Sequence, residues 1–282
     1  MLNIAFLNTN QVLAETNQGY MNSNVALEVV RLCAEEATID DTNDALVTLT
    51  AFRGMKGSDP AAAKLRNSAD AAVLLVGSFD SCGVAYFHTL GSGFTLSVVK
   101  KSCALGYYSF GHEVGHSMGL AHNPEETTNT AFSQGHGHLI QKGSNARGYR
   151  TILAYSAQGH RDRRNYYSNP AVLLPETGTP TGEVGISNNA AVLNMNRFQI
   201  NKFIDTTKVF VNTNPITNTK VIKGSGWLES ETRALLASTV CLYLDLHCWQ
   251  ARSRCPSRPP QQQPQQPQQQ ALFLQIPQVW SV

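Results

Sequence analysis

The 282-residue sequence lacks long apolar runs, paired cysteines and a strong net charge of either sign. No apolar run approaches the roughly 18 residues needed to cross a bilayer, so we expect no membrane span. Residues 1–7 have neither the basic start nor the long apolar centre and small-residue cleavage site of a signal peptide. With 42% hydrophobic and 15% charged residues, the chain can still build a sizeable core.

The net charge of +2 hides an asymmetry between the two halves. Residues 1–140 carry 7 basic and 13 acidic side chains, whereas residues 141–282 carry 15 and 7. The basic excess of the second half is scattered among Asn, Gly and Pro and does not line one helix face. We therefore do not expect nucleic acid as a partner.

The six cysteines include no CxxC pair, which argues against a four-cysteine zinc site. An even count is compatible with disulfides but does not require them. Cys82 and Cys103 lie in one compact stretch and are the pair that we expect to be joined. Such a bond would point to an oxidising compartment.

Local patterns divide the chain into a mixed α/β region and a different C-terminal segment. They predict helices over 8–20, 45–49, 61–67, 105–120 and 188–204, and strands over 71–77, 84–87 and 94–99. Residues 25–33 fit a strand or a helix, and 123–189 are loop-rich.

Residues 259–270 contain only Pro and Gln, a composition that cannot build a core. We place a domain boundary near residue 205 and expect 206–282 to be a largely disordered appendage. One alternative makes this tail the functional part, as an interaction segment recognised in extended form.

The stretch HEVGHSMGLAH, residues 112–122, carries the chemistry of this sequence. On a helix, His112 and His116 share one face and can bind the same metal ion, while Glu113 stays outside the metal shell. Gly119 tolerates positive φ and can turn the chain so that His122 becomes a third ligand. Three imidazoles leave the fourth position of zinc open, as in catalytic sites. The alternative is a helix with structural histidines, but five residues at fixed spacing favour the metal.

The same stretch resembles the extended zinc motif of the metzincin metallopeptidases. Four further stretches resemble the bacterial-type reprolysin-like and peptidyl-Asp metallopeptidases, over about residues 10–204. They are 15–18 (ETNQ), 82–86 (CGVAY), 109–111 (SFG) and 167–170 (YSNP).

The resemblance implies an α/β (α+β) fold over residues 1–205. This fold has a twisted, mostly parallel sheet, an active-site helix and an irregular C-terminal lobe. It implies one Zn²⁺ per chain on His112, His116 and His122, with Glu113 as the general base that acts on a zinc-bound water. The substrates would be proteins or peptides, and the location extracellular. The oligomeric state stays open.

Two departures from the family pattern leave an alternative open, a non-catalytic or degenerate zinc-binding or partner-binding domain. Leu153 stands where metzincins place the methionine of the Met-turn, although Leu and Met are close in volume. The strand that opens family domains has no counterpart, because the chain starts within the pattern of the first helix. Glu113 favours the enzyme, since a decayed enzyme often loses its base.

Other residues are weaker candidates for contacts with substrate. Tyr155 is expected either near the zinc and the oxyanion or in the core. Residues 147–164 contain five arginines, of which Arg150 and Arg161 are the first candidates to bind an acidic side chain after the scissile bond. A solvated basic loop is the alternative. His136 and His138 are expected at the surface or on the cleft wall, and Tyr107 and Tyr108 in the core.

Overall fold

The computed structural model describes residues 2–37, 39, 43–54, 70–78, 80–89, 95–142, 146–156, 162–200, 237–245 and 279–281. Its helices are α1 (Leu2–Asn22), α2 (Ala45–Gly54), α3 (Lys101–Ala104), α4 (Ser109–Ser117) and α5 (Asn189–Ile200). The strands of the main sheet are β1 (Glu28–Ala37), β2 (Ala71–Val76), β3 (Gly83–Tyr86), β4 (Leu96–Lys100), β10 (Ala237–Asp245) and β11 (Val279–Ser281). Short strands form two small sheets: β5 (Leu139–Lys142), β6 (Ala146–Arg150), β7 (Asp162–Arg163), β8 (Leu173–Leu174) and β9 (Thr179–Pro180).

The main sheet has the strand order β1-β10-β2-β4-β3-β11. Four of its six strands run in one direction, but only the β2–β4 pair is parallel. This differs from the mostly parallel sheet expected from the sequence. The reason is that β10 lies between β1 and β2 and is antiparallel to both.

Two strands of this sheet come from the segment that the sequence analysis assigns to an appendage. Residues 237–245 pair with β1 and β2, and residues 279–281 pair with β3. Most of 206–282, including the Pro/Gln tract, lies outside the described residues. The boundary near residue 205 therefore stays a prediction.

The apolar run of β2 is buried on both faces, as expected for a strand in the middle of a sheet covered by helices. Ala71, Val73 and Leu75 belong to a core cluster with α1, α4 and α5. The alternate residues of β2 belong to a second cluster with α2 on the opposite face. Helix α4, which carries His112 and His116, thus packs on one face of the sheet.

The sequence predicted the elements around the site well, with one difference at the start of α4. Helix α1 contains the predicted 8–20, and α2 begins as expected after Asp44, whose Oδ1 accepts from the Val47 amide at 2.8 Å. The predicted helix over 105–120, however, begins only at Ser109. Gly106 and Tyr108 have φ of 77° and 59°, which a right-handed helix cannot accommodate. The predicted helix over 61–67 lies outside the described residues.

A disulfide joins Cys82, next to the first residue of β3, to Cys103 in α3. It ties this strand of the sheet to the segment that leads into α4. Within the described part of the chain, no helix combines the length and the apolar character needed to span a membrane.

Candidate active site

Helix α4 and the turn after it bring three histidines together. His112 and His116 lie one turn apart on the buried face of α4. The helix ends at Ser117, and Gly119, two residues later, adopts the positive φ expected of it, 91°. The Gly119 and Leu120 amides bond back to the His116 and Gly115 carbonyls, and the reversed chain returns His122 to the helix.

The Nε2 atoms of the three histidines converge on one point. His122 Nε2 lies 3.0 Å from His116 Nε2 and 3.3 Å from His112 Nε2. Tetrahedral zinc with Zn–N bonds of about 2.0–2.1 Å would separate its nitrogen ligands by about 3.3–3.4 Å. The spacing therefore suits three ligands of a single ion.

The hydrogen bonds of the second ring nitrogens show why the site suits a cation. His112 Nδ1 lies 2.7 Å from the Ile152 carbonyl, and His116 Nδ1 lies 2.7 Å from the Leu120 carbonyl. A carbonyl only accepts, so in the neutral rings Nδ1 carries the proton and Nε2 keeps its lone pair. Converging lone pairs repel one another unless a cation lies between them.

Burial keeps these rings neutral near pH 7. It lowers the pKa of His116 to about 4 and the pKa of His122 to about 2, with smaller contributions from neighbouring positive charge. It lowers the pKa of His112 well below its usual value, and His116 acts in the same direction. Within the described residues these three form a metal-binding group with ligand atoms within 4.8 Å of one another. Three neutral imidazoles are donors that zinc prefers.

Glu113 is fully buried beside the histidines, and neither carboxylate oxygen has a hydrogen-bond partner among the residues that the structure describes. Burial raises its pKa well above the usual value, and the positive charge of Arg163 partly offsets this. The carboxylate fits against β3 because residue 83 is glycine: a Cβ there would lie only 2.4 Å from Glu113 Oε1. An unpaired, buried carboxylate next to a metal site is a natural proton acceptor.

Leu153, at the Met-turn position, lies under the histidines and is fully buried. A Cβ added at Gly115 would lie 3.2 Å from Leu153 Cδ2, so the leucine packs closely against α4 between the two ligand positions. The preceding residue, Ile152, supplies the carbonyl that orients His112. Residues 152–153 thus provide both an apolar contact with α4 and the carbonyl that orients the His112 ring.

Tyr155 and His136 both contact His122. The Tyr155 ring contacts the His122 ring, with centroids 3.8 Å apart. His136 is buried, and its Nδ1 lies 2.7 Å from the His122 carbonyl. This contact helps to hold the backbone of His122 in place. Of the two positions expected for His136, burial shows that the surface was wrong, and the cleft wall stays a prediction. The sequence did contain a signal for this burial, because glycines on both sides of His136 allow two backbone segments to lie close together. Gly135 and Gly137 both form backbone hydrogen bonds with Ala121.

Two arginines lie near this centre, but only one is a residue singled out from the sequence. Arg150 is buried and donates through Nη1 to the Ala154 carbonyl at 2.6 Å. Arg163, which the sequence did not single out, is also buried and donates through Nη1 to the Tyr107 carbonyl at 2.9 Å. Tyr107 is 44% exposed, so its predicted place in the core is wrong. Arg161 lies outside the described residues.

Two of the other stretches that carry the family resemblance form hydrogen bonds with α4 or with the segment just before it. The Glu15 carboxylate accepts from the Gly106 amide at 2.9 and 3.1 Å, just before the helix. Tyr167 donates through its hydroxyl to the Gly111 carbonyl at 3.0 Å and stacks on Tyr20. These contacts hold the N-terminal half of the helix in place.

Comparisons with known proteins agree with this geometry. The model of a family described as metallopeptidase family M12 matches residues 5–168. A peptidyl-Asp metalloendopeptidase of Stenotrophomonas maltophilia (strain K279a) is 34% identical over 64% of this chain and 44% of its own length. One from Pseudomonas fragi is 30% identical over 56% of this chain and 84% of its own length.

The chain thus spans less than half the length of the Stenotrophomonas relative. A solved chain, from a structure described as that of a chaperone-substrate complex, superposes with a TM-score of 0.51. The match covers 71% of this chain and 32% of that chain at 19% identity, and it bears on the fold alone.

Proposed function

Because the chain belongs to metallopeptidase family M12, we propose that it is a zinc-dependent endopeptidase that hydrolyses protein or peptide substrates. The observation that carries this proposal is the convergence of three neutral imidazoles beside an unpaired, buried carboxylate. The names of the relatives, which are metalloendopeptidases, support the same activity.

In this proposal His112, His116 and His122 hold one Zn²⁺. When bound, the metal supplies a Lewis acid that polarises the scissile carbonyl and lowers the pKa of water. The Ile152 and Leu120 carbonyls hold the first two rings with Nε2 aimed at the common point. Leu153 keeps the floor below the rings apolar.

Glu113 is the general base of the proposed reaction. Its carboxylate takes a proton from the attacking water and passes it to the leaving amine nitrogen. Burial raises its pKa, which makes the ionised carboxylate a stronger base than an exposed one. Tyr155, whose ring lies against His122, is the candidate for contact with the transition state.

We further propose a preference for Asp after the scissile bond, an extracellular location and a catalytic domain within residues 1–205. The names of the relatives support the Asp preference. The Cys82–Cys103 disulfide fits an oxidising compartment. Arg161 stays a predicted contact.

Casein cleavage by the purified protein tests the activity. A chelator should abolish cleavage, and added zinc should restore it. A protein that binds zinc but cleaves neither casein nor peptides would instead support the alternative, a non-catalytic zinc-binding domain.

A further inference from the structure

Arg150 and Arg163 form a buried cationic pair around Tyr107. Their side chains are only 2% and 7% exposed. Their Cζ atoms lie 5.6 and 4.9 Å from the Tyr107 ring centroid, so both guanidinium groups flank one aromatic ring. Arg150 Nη2 donates to the Tyr107 hydroxyl at 3.0 Å. Two positive charges are thus withdrawn from water side by side.

Arg163 has no direct ion pair among the described residues, although the Glu113 carboxylate attracts its charge from further away. Its buried Nε has no hydrogen-bond partner among these residues. Its one described hydrogen bond is to a neutral carbonyl. An unpaired buried charge is costly, and a site that keeps one is suited to bind the missing opposite charge.

The pair lies within reach of the catalytic centre. Arg150 donates to the Ala154 carbonyl, one residue after Leu153 and one before Tyr155. The Tyr155 ring in turn contacts the His122 ring, so one short segment connects the arginine pair to the histidine cluster. An anion bound here would belong to a ligand of the same site.

We propose that Arg163, together with Arg150, binds the carboxylate of an acidic substrate side chain and is a specificity-determining residue of this enzyme. The inference rests on the proposed peptidase function. It assigns the preference for an acidic residue to two of the five arginines of residues 147–164, and Arg163 was not one of the first two candidates. Guanidinium groups bind carboxylates through charge-assisted and often bidentate hydrogen bonds. Arg163 Nε is a buried donor with no partner among the described residues, and a carboxylate that enters beside it would satisfy it.

The next residue in the chain offers a matched control. Arg164 is partly exposed, with its Nε 3.0 Å from Glu176 Oε1 and its guanidinium stacked on the Tyr149 ring. Its charge is already paired and solvated. Replacing it removes the same positive charge from the protein without touching the buried pair.

The test compares two peptides that differ only in Asp or Asn after the cleaved bond, because Asn keeps the shape and removes the charge. The readout is the ratio of the two kcat/KM values, which cancels differences in active enzyme between preparations. Arg163→Gln should lower the Asp/Asn ratio about 10- to 100-fold, the effect of losing a hydrogen bond between charged groups. Arg164→Gln should leave the ratio unchanged.

If Arg163→Gln does not fold, Arg163→Lys replaces it, since it keeps the charge but loses the planar fork and should still lower the ratio. Cleavage of both peptides by the wild type without preference for Asp would overturn this inference and leave the peptidase function standing. An equal loss of preference in Arg164→Gln would also overturn it. Failure of the wild type to cleave any substrate with zinc would instead remove the proposed function.

Discussion

Substitution of Gly83 by alanine should displace the carboxylate of Glu113, the proposed base, and leave the three histidines in place. The three heavy atoms nearest to an added Cβ all belong to Glu113: Oε1 at 2.4 Å, Cγ at 2.6 Å and Cδ at 2.7 Å. Ordinary contacts begin near 3.4 Å, so the Glu113 side chain would have to move by about 1 Å. It is fully buried and has little room to do so.

A displacement of this size should have a large kinetic effect. Misplacing a reacting group by about 1 Å can cost on the order of 100-fold in rate. The overpacking itself should lower the free energy of unfolding by about 1–3 kcal/mol. We therefore expect Gly83→Ala to fold, to bind one zinc per chain and to show a kcat about 100-fold below that of the wild type.

The assay combines cleavage of a fluorogenic peptide with metal analysis of the same protein sample. Gly54→Ala is the control, because a Cβ at Gly54 meets nothing within 4 Å. A Gly83→Ala protein with nearly wild-type kcat would refute the tight placement of Glu113 against β3. A protein that has lost its zinc would refute the separation between the base and the metal ligands.

Three further predictions concern the surroundings of the metal. Leu153→Met should change activity and zinc affinity little, whereas Leu153→Asp, which buries a charge, should weaken both; a large gain in Leu153→Met would show that the natural chain is impaired. His136→Ala removes the contact with the His122 carbonyl and should weaken zinc binding about 10-fold in a chelator competition, a loss that an unchanged affinity would contradict. In the metal-free protein, burial holds the pKa of His116 near 4, so below about pH 6.5 the unfolded chain binds protons that the folded chain does not. The free energy of unfolding of the metal-free protein should therefore decrease as the pH is lowered, by up to about 1.4 kcal/mol per pH unit for each such histidine. A free energy of unfolding in urea that stays constant between pH 7.5 and 5.5 would contradict this.

The convergence of the three histidines could be predicted from the sequence because its geometry is local. His112 and His116 are related by one helical turn, and the positive φ of Gly119 returns His122 within three residues. The break before α4 was also encoded locally, in Gly106, but the apolar pattern after it suggested a longer helix. Local signals therefore determine most of the ligand set.

The Arg163–Tyr107 contact and the close approach of Gly83 to Glu113 could not be predicted in this way. Each joins segments that are far apart in the sequence, and nothing in a single arginine or glycine tells which neighbour it will meet. The order of the sheet had the same limit, because β10 enters it from residues 237–245. Tertiary packing decides these features.

The most direct test of the central claim is the paired measurement of zinc content and kcat in Glu113→Gln. The amide keeps the size of the side chain but cannot accept the proton from water, while the three histidines are untouched. The account predicts about one zinc per chain, as in the wild type, and a kcat lower by about 100-fold or more. Near-full peptidase activity in Glu113→Gln would contradict the assignment of the general base and, with it, the proposed mechanism.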